Sequence, residues 1–432
     1  MTHSLHHQVD VSIDRHRGMR RRDFLRSVSL AGAAAGTLSW PDLMALEAAE
    51  LRERGMACIL LWMQGGPSQF ETFSPKPGHD NGGETKAIST SVPGIEIAHN
   101  LPKTATAMDE ICLIRSMNSR EGSHPRATYL MHTGYLPTAS IKHPTIGSNV
   151  VHQLADRSFD LPSFVRIGNG RNGTGAGLLG VEYDPFVMTD PTRQPDNTEL
   201  MTDERRYRRR VGLLDKLEQE YANSGGEQEV NNQRKLYEKA SKLVLSPKMN
   251  AFDIERESTA VREAYGKSSF GAGCLLARRL VETGVTFVEV SLGNWDNHQN
   301  VFEDAAALCQ QMDQPYAALL KDLRERGMLD NTLVVWAGEF GRTPTINARG
   351  GRDHYPRAFN VALAGGGVKG GQVIGSTDAG GTSVEDRPVG VSDLLRTVCH
   401  SLKIDADHEH MSSVGRPIKI VDGGEVISEV FA

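Results

Sequence analysis

The sequence predicts an α/β protein built on a central, mostly parallel sheet with helices on both faces. Two observations carry this. Five apolar runs of six or seven residues, too short for buried helices, alternate with longer segments of helical periodicity. The glycines, 44 in all, cluster just after such runs, where a backbone turns sharply or approaches a ligand closely.

The first run, Ala57 to Met63 (ACILLWM), is continuously apolar and is bounded by Gly65-Gly66-Pro67, the pattern of a strand buried on both faces. Ile111 to Met117, Thr286 to Leu292, Thr332 to Ala337 and Phe359 to Ala364 predict four more strands. Helices are predicted over Ile146 to Ala155, Ser269 to Thr283, Val301 to Arg326 and Val391 to Leu402. Residues from about 195 to 265 break the alternation with Glu204-Arg205-Arg206-Tyr207-Arg208-Arg209-Arg210 and a charged stretch from Glu218 to Lys242. That predicts a charged helical insertion, a lid or an oligomer contact, with the charges on a solvated face.

At 432 residues the chain suits a leader over residues 1–50 and a single domain over 51–432. A net charge of -6 gives no nucleic-acid footprint. Cys58, Cys112, Cys274, Cys309 and Cys399 show no metal or redox spacing and are expected as buried thiols. Arg21-Arg22-Asp23-Phe24-Leu25, ahead of the apolar run Ser27 to Leu38, resembles a twin-arginine export signal. The run is too short and too rich in Gly and Ala to span a membrane comfortably. The expectation is a periplasmic or otherwise exported protein with no stable membrane span after export.

Ligands of open α/β sheets sit beyond the carboxyl ends of the strands, so the residues there matter most. After the first strand comes Gln64-Gly65-Gly66-Pro67-Ser68-Gln69-Phe70-Glu71. Its two glycines allow an anion to approach backbone N–H groups, and Ser68 and Glu71 supply oxygens; a plain glycine turn capped by Ser68 is the alternative. After the strand ending at Leu292 come Asp296 and His298, which converge on one ion if that segment is extended. After Ala337 come Glu339, a candidate ligand, and Arg342, a candidate clamp for an anion, unless the two form a structural salt bridge. His354 precedes the last strand, beside Asp353, a ligand or an acceptor that orients an imidazole. Ser123 and His124 open a helical stretch, in a field that favours anions and activated nucleophiles; Ser123 also suits an N-cap.

Taken together, Arg21-Arg22-Asp23-Phe24-Leu25, Gly65-Gly66-Pro67-Ser68-Gln69, Trp295-Asp296-Asn297-His298, Gly338-Glu339-Phe340-Gly341-Arg342-Thr343-Pro344 and Gly351-Arg352-Asp353-His354-Tyr355-Pro356 resemble an exported bacterial family, domain of unknown function 1501. That family is placed in the alkaline phosphatase/sulfatase superfamily. The resemblance covers Arg21 to about Leu402 and implies an alkaline phosphatase/sulfatase-like fold. It implies that Asp296, His298, Glu339 and His354 are metal ligands at strand ends, with Asp353 and Glu71 as further candidates. Ser123-His124-Pro125-Arg126-Ala127 with Thr133-Gly134-Tyr135 is similar to the sulfatase signature, one residue short, so Ser123 or His124 takes the nucleophile's place.

The departures from the superfamily pattern shape what it implies. Met63-Gln64-Gly65-Gly66 replaces the aspartates that end the first strand of sulfatases, and Phe340 stands where a histidine ligand would. One divalent ion (zinc, manganese, calcium or magnesium) is implied in place of a full pair. No cysteine occupies the nucleophile region, so formylglycine chemistry is not expected. The implied reaction is hydrolysis of a sulfate or phosphate ester, from a small anionic ester or a sulfated glycan. Arg126 and Arg342 would hold ester oxygens, and Gln64, Gly65, Gly66 and Ser68 would line the substrate site. The alternative is a catalytically degenerate exported protein that binds an anionic or glycan ligand.

Overall fold

The structure, a computed structural model, describes residues 55–432 apart from 157, 169–174, 197, 199, 222, 224–226 and 413–414. The leader and export motif expected over residues 1–50 lie outside the described residues.

Ala57–Met63 forms β1, buried along its whole length. The other strands of its sheet are β2 (Ile111–Met117), β3 (Phe164–Ile167), β4 (Phe186–Met188), β5 (Phe287–Leu292), β6 (Thr332–Ala337), β7 (Phe359–Ala364) and β8 (Gln372–Ile374). Their order is β8–β2–β7–β6–β1–β5–β3–β4. Every pairing is parallel except those of β7, which is antiparallel to both β2 and β6. The mostly parallel sheet expected from the sequence is thus the one observed. Three strands escaped prediction: β3, β4 and β8 have four, three and three residues, too few for a side-chain alternation to declare itself.

The helices used below are α1 (His124–Thr133), α2 (Ile146–Leu154), α3 (Glu204–Tyr221), α4 (Glu227–Leu245), α5 (Ser269–Thr283), α6 (Val301–Glu325) and α7 (Val391–Ser401). Successive side chains of a strand point to opposite faces, so β1 contributes to two cores. Ile59, Leu61 and Met63 pack with Leu276 and Leu280 of α5 and Leu308 and Met312 of α6. Cys58, Leu60 and Trp62 pack with Val150 of α2 and Leu394 and Val398 of α7. Each such buried side chain contributes about 1.5–3 kcal/mol of transfer free energy. This two-sided burial is why β1 carries no polar residue. All five cysteines are buried and free, as expected.

The charged segment folds as the helices α3 and α4, joined by a hydrogen bond between the Tyr207 and Ser241 hydroxyls at 3.0 Å. The α4 helix meets the turn before β4, where Lys235 pairs with Glu182 at 2.8 Å. That contact lies at the amino-terminal ends of the strands, opposite the loops that carry the candidate site residues. Among the described residues, no helix is long and apolar enough to cross a membrane.

Candidate metal centre

The three central parallel strands β6, β1 and β5 end side by side. Their loops deliver Glu339, the Gly65–Gly66 turn, and Asp296 with His298 to one edge of the sheet. β2 runs the same way and leads to Ser123 and α1, which places His124 at that edge. β7 runs in reverse, so the segment before it, not after it, reaches the site. This is why His354 precedes its strand in the sequence while the other candidates follow theirs.

Local backbone features fix these loops. Asn294 and Asn300 adopt left-handed conformations at φ 73° and 47°, which asparagine tolerates better than most residues. Between them Trp295 is fully buried and anchors the loop. Gly65 has φ 115°, and a Cβ there would lie 2.7 Å from the backbone nitrogen of Asp296. Only glycine lets the first loop pass so close to the Asp296 loop. His354 pairs with Arg342 in a short antiparallel ribbon, Gly341–Arg342 with His354–Tyr355.

Three imidazole Nε2 atoms converge on one carboxylate oxygen. Asp296 Oδ1 lies 3.3 Å from His124 Nε2, 3.0 Å from His298 Nε2 and 3.2 Å from His354 Nε2. The His298 and His354 Nε2 atoms are 3.1 Å apart. Each Nδ1 faces a group that only accepts. His124 Nδ1 is 2.7 Å from Glu339 Oε1, His298 Nδ1 is 2.8 Å from Asp353 Oδ1, and His354 Nδ1 is 2.8 Å from the Gly122 carbonyl. The neutral form of all three rings therefore carries its proton on Nδ1 and a bare lone pair on Nε2. Three lone pairs and a carboxylate oxygen facing one another repel unless a metal ion or a ring proton lies among them. Donors around an ion bound at about 2.0–2.2 Å stand roughly 2.8–3.1 Å apart in octahedral and about 3.3–3.6 Å apart in tetrahedral geometry, and the observed spacings fall within that span. His124, Asp296 and His354 alone already have ligand atoms within 4.8 Å of one another. The residues present fit a metal ion.

The sequence matches the family described as "Protein of unknown function (DUF1501)" over residues 56–431. The chain belongs to the DUF1501 family. No curated protein matches it. Solved structures with a similar arrangement include the PsFucS1 sulfatase from Pseudoalteromonas sp., at 12% identity and a TM-score of 0.40, covering 84% of this chain and 71% of that one. The phosphonate monoester hydrolase SpPMH from Silicibacter pomeroyi has 11% identity and a TM-score of 0.39, covering 87% and 76%. The lipoteichoic acid synthase LtaP from Listeria monocytogenes has 9% identity and a TM-score of 0.38, covering 85% and 75%.

The electrostatics of this DUF1501 site centre on Asp296. Burial alone would raise its pKa, but the Arg342 guanidinium at 2.6 Å, with His124 and His354 beside it, holds it at about 2. The hydrogen bond from His298 is the main cause that lowers the Asp353 pKa. Burial works to lower the pKa of His124, but Glu339 and Asp296 outweigh it and the net shift is upward. His354 moves the other way, because burial and the Arg342 and His124 charges prevail over its bond to Gly122. Phe340 packs against both rings, with centroids 4.8 Å from His124 and 4.7 Å from His354.

The remaining predicted residues divide between the site and its support. Arg342 is fully buried with its guanidinium turned inward, and it has no exposed edge for an ester. Glu339 is also buried; its Oε1 accepts from the Gly65 N–H at 2.9 Å as well as meeting His124. Glu71 lies apart from the cluster, in a fully buried pair with Arg352 at 2.9 Å. Ser68 is buried, and its hydroxyl accepts from the Phe70 N–H at 3.3 Å. Gln64 is half-buried and ties its loop to β5 through backbone bonds to Leu292 and Trp295. Ser123 is the exposed N-cap of α1, with no side-chain capping bond, and Arg126 is half-exposed and bonded to Glu121 at 2.6 Å.

Three supporting residues escaped the sequence reading. Gln69 clasps the backbone of Arg342 through two hydrogen bonds of 2.8 Å. Asn347 donates to the His298 carbonyl at 3.1 Å and accepts from Gly351 N–H at 3.0 Å. Arg352 anchors Glu71. Gln69 and Arg352 stand inside the quoted motifs, but nothing in their spacing says that they face inward.

Proposed function

We propose that this protein is an exported, metal-dependent hydrolase of sulfate or phosphate esters. It would hold one ion through Nε2 of His124, His298 and His354 and the Asp296 carboxylate. The observation that carries this reading is the convergence of three Nε2 atoms on Asp296 Oδ1 while every Nδ1 faces an acceptor. Three imidazoles and one carboxylate favour zinc, manganese or iron over calcium or magnesium. Bound there, the ion supplies a Lewis acid that polarises the ester and lowers the pKa of an attacking oxygen.

The chain's own residues do the rest. Glu339, Asp353 and the Gly122 carbonyl hold the three rings in one tautomer. Arg342 keeps Asp296 ionised and oriented. Ser123, exposed beside His124 and with its hydroxyl free of a capping bond, is the candidate nucleophile, with Arg126 one turn away as the candidate contact for an ester oxygen. The five buried, free cysteines suit a chain that folds before export through the twin-arginine motif at Arg21-Arg22.

Elemental analysis of the purified protein, before and after chelation, tests this beside assays on aryl sulfate and aryl phosphate. We expect bound transition metal, activity lost on chelation and restored by the metal, and both lost in His298→Ala. A metal-free protein inactive on both esters would sink the hydrolase reading and favour a binding protein. Unchanged activity in His298→Ala would sink the site assignment.

A further inference from the structure

The Arg342 guanidinium sits in a cage of four oxygens. Its Nε donates to the Gly66 carbonyl at 2.8 Å and its Nη1 to the Arg352 carbonyl at 3.2 Å. Its Nη2 donates to Asp296 Oδ1 at 2.6 Å and also meets the Gly65 carbonyl. Three carbonyls and a carboxylate around one buried guanidinium supply oxygens of the kind that hard cations take. The cage is built for the purpose by the backbone. Gly65 and Gly66 both have positive φ, 115° and 75°, which turns two successive carbonyls toward the guanidinium. A Cβ on Gly66 would meet the Phe340 ring at 2.7 Å, so this turn admits only glycine. The double clasp from Gln69 fixes the Arg342 backbone, so the side chain enters the cage from a held position.

Asp296 Oδ1 is shared. One side faces Arg342, the other the three imidazoles. A second divalent ion in the cage would need the space that the guanidinium fills. We propose that Arg342 is a built-in second cation: it occupies an oxygen cage beside the histidine cluster, so that the site takes a single free ion per chain. The guanidinium also fixes the direction of Asp296, which makes Arg342 a positioning residue. The one-ion count rests on the metal reading above; the cage itself does not.

Two measurements test this. In the wild-type chain, titration with zinc or manganese should saturate at one equivalent; two equivalents would overturn the proposal. Arg342→Ala should open the cage to a replacement. Guanidinium chloride at low millimolar concentration, or calcium, should raise its melting temperature by about 2 °C or more, through preferential binding to the folded chain. Wild type and Arg342→Lys should show no such rise. A folded Arg342→Ala chain that responds to neither cation overturns the proposal. If that variant does not fold alone, refolding with guanidinium or calcium should recover it, and failure with both overturns the proposal. A wild-type chain that binds no ion sinks the metal reading, yet Arg342→Ala would still respond to guanidinium if the cage reading holds.

Discussion

Asp353 accepts a hydrogen bond from the His298 Nδ1–H at 2.8 Å, and in doing so leaves the His298 Nε2 lone pair of the neutral ring aimed at Asp296. The carboxylate is half-exposed, so it contributes little to folding. Its value lies in the tautomer that it imposes. Asp353→Asn should lower metal affinity about 10–100-fold while leaving the stability of the metal-free chain within roughly 0.5 kcal/mol of wild type. Competition with a chelator measures the first and denaturant melts the second. An unchanged affinity would remove Asp353 from the site.

The Gly65 position couples the first strand to the histidine cluster through the Asp296 loop. A methyl group there meets the backbone of both Asp296 and Trp295, at 2.7 and 2.8 Å, and φ 115° is strained for any L side chain. Gly65→Ala should therefore cost about 1–3 kcal/mol of stability and weaken metal binding as well. Thermal melts with and without metal separate the two effects. A variant that loses stability but keeps full affinity would show that the Asp296 loop adapts without moving its ligands.

Much of this arrangement was legible in the sequence, and the rest was not for identifiable reasons. β1, β2, β6 and β7 appear as predicted, because burial on both faces leaves mostly apolar runs, broken in β2 by the half-buried Arg115 and by Ser116. β5 starts at Phe287, one residue later than expected. Asp296, His298 and Glu339 stood out because polar residues soon after a buried strand need a reason, and His354 because it lies just ahead of one. Their division of labour was hidden. Glu339 and Asp353 face ring Nδ1 atoms while His124 faces Asp296, and only the helix axis of α1 and the reversed direction of β7 decide that. Arg342 read as an anion clamp, since no local pattern reveals two carbonyls 276 and 277 positions away turned toward it.

The same distance problem hid the Arg352–Glu71 pair. Both side chains are fully buried, and Arg352 also donates to the Thr343 and Asn81 carbonyls at 3.1 and 2.7 Å and stacks over Phe70 at 4.3 Å. It ties the loops after β1 and β6 to the segment that carries His354. Removing one partner strands a buried charge. Arg352→Met should destabilise the chain by about 3–5 kcal/mol, and Glu71→Leu on that background should return part of the loss. Denaturant midpoints for the two single variants and the double variant give the coupling. Purely additive losses would show that the two residues act on stability separately.

A second buried charge cluster, away from the histidines around Asp296, should contribute to the acid limit of the fold. Glu289 of β5 is fully buried, 3.2 Å from Arg166 of β3 and 3.6 Å from His132 of α1. Burial on its own would raise its pKa, but Arg166 and His132 outweigh burial and hold it at about 2, below the ordinary 4.5. A carboxylate depressed in the folded state stabilises the fold fully above the unfolded value and loses that contribution as pH falls through the folded one. The loss should therefore run from about pH 4.5 down to about pH 2. Glu289→Gln should flatten this limb and, by removing a buried charge that faces both Arg166 and His132, cost about 3–5 kcal/mol near neutral pH. Denaturant midpoints of the metal-free chain from pH 3 to 7 read both effects without interference from ion release at the histidines. An acid limb equally steep in wild type and variant would mean that other carboxylates govern acid unfolding.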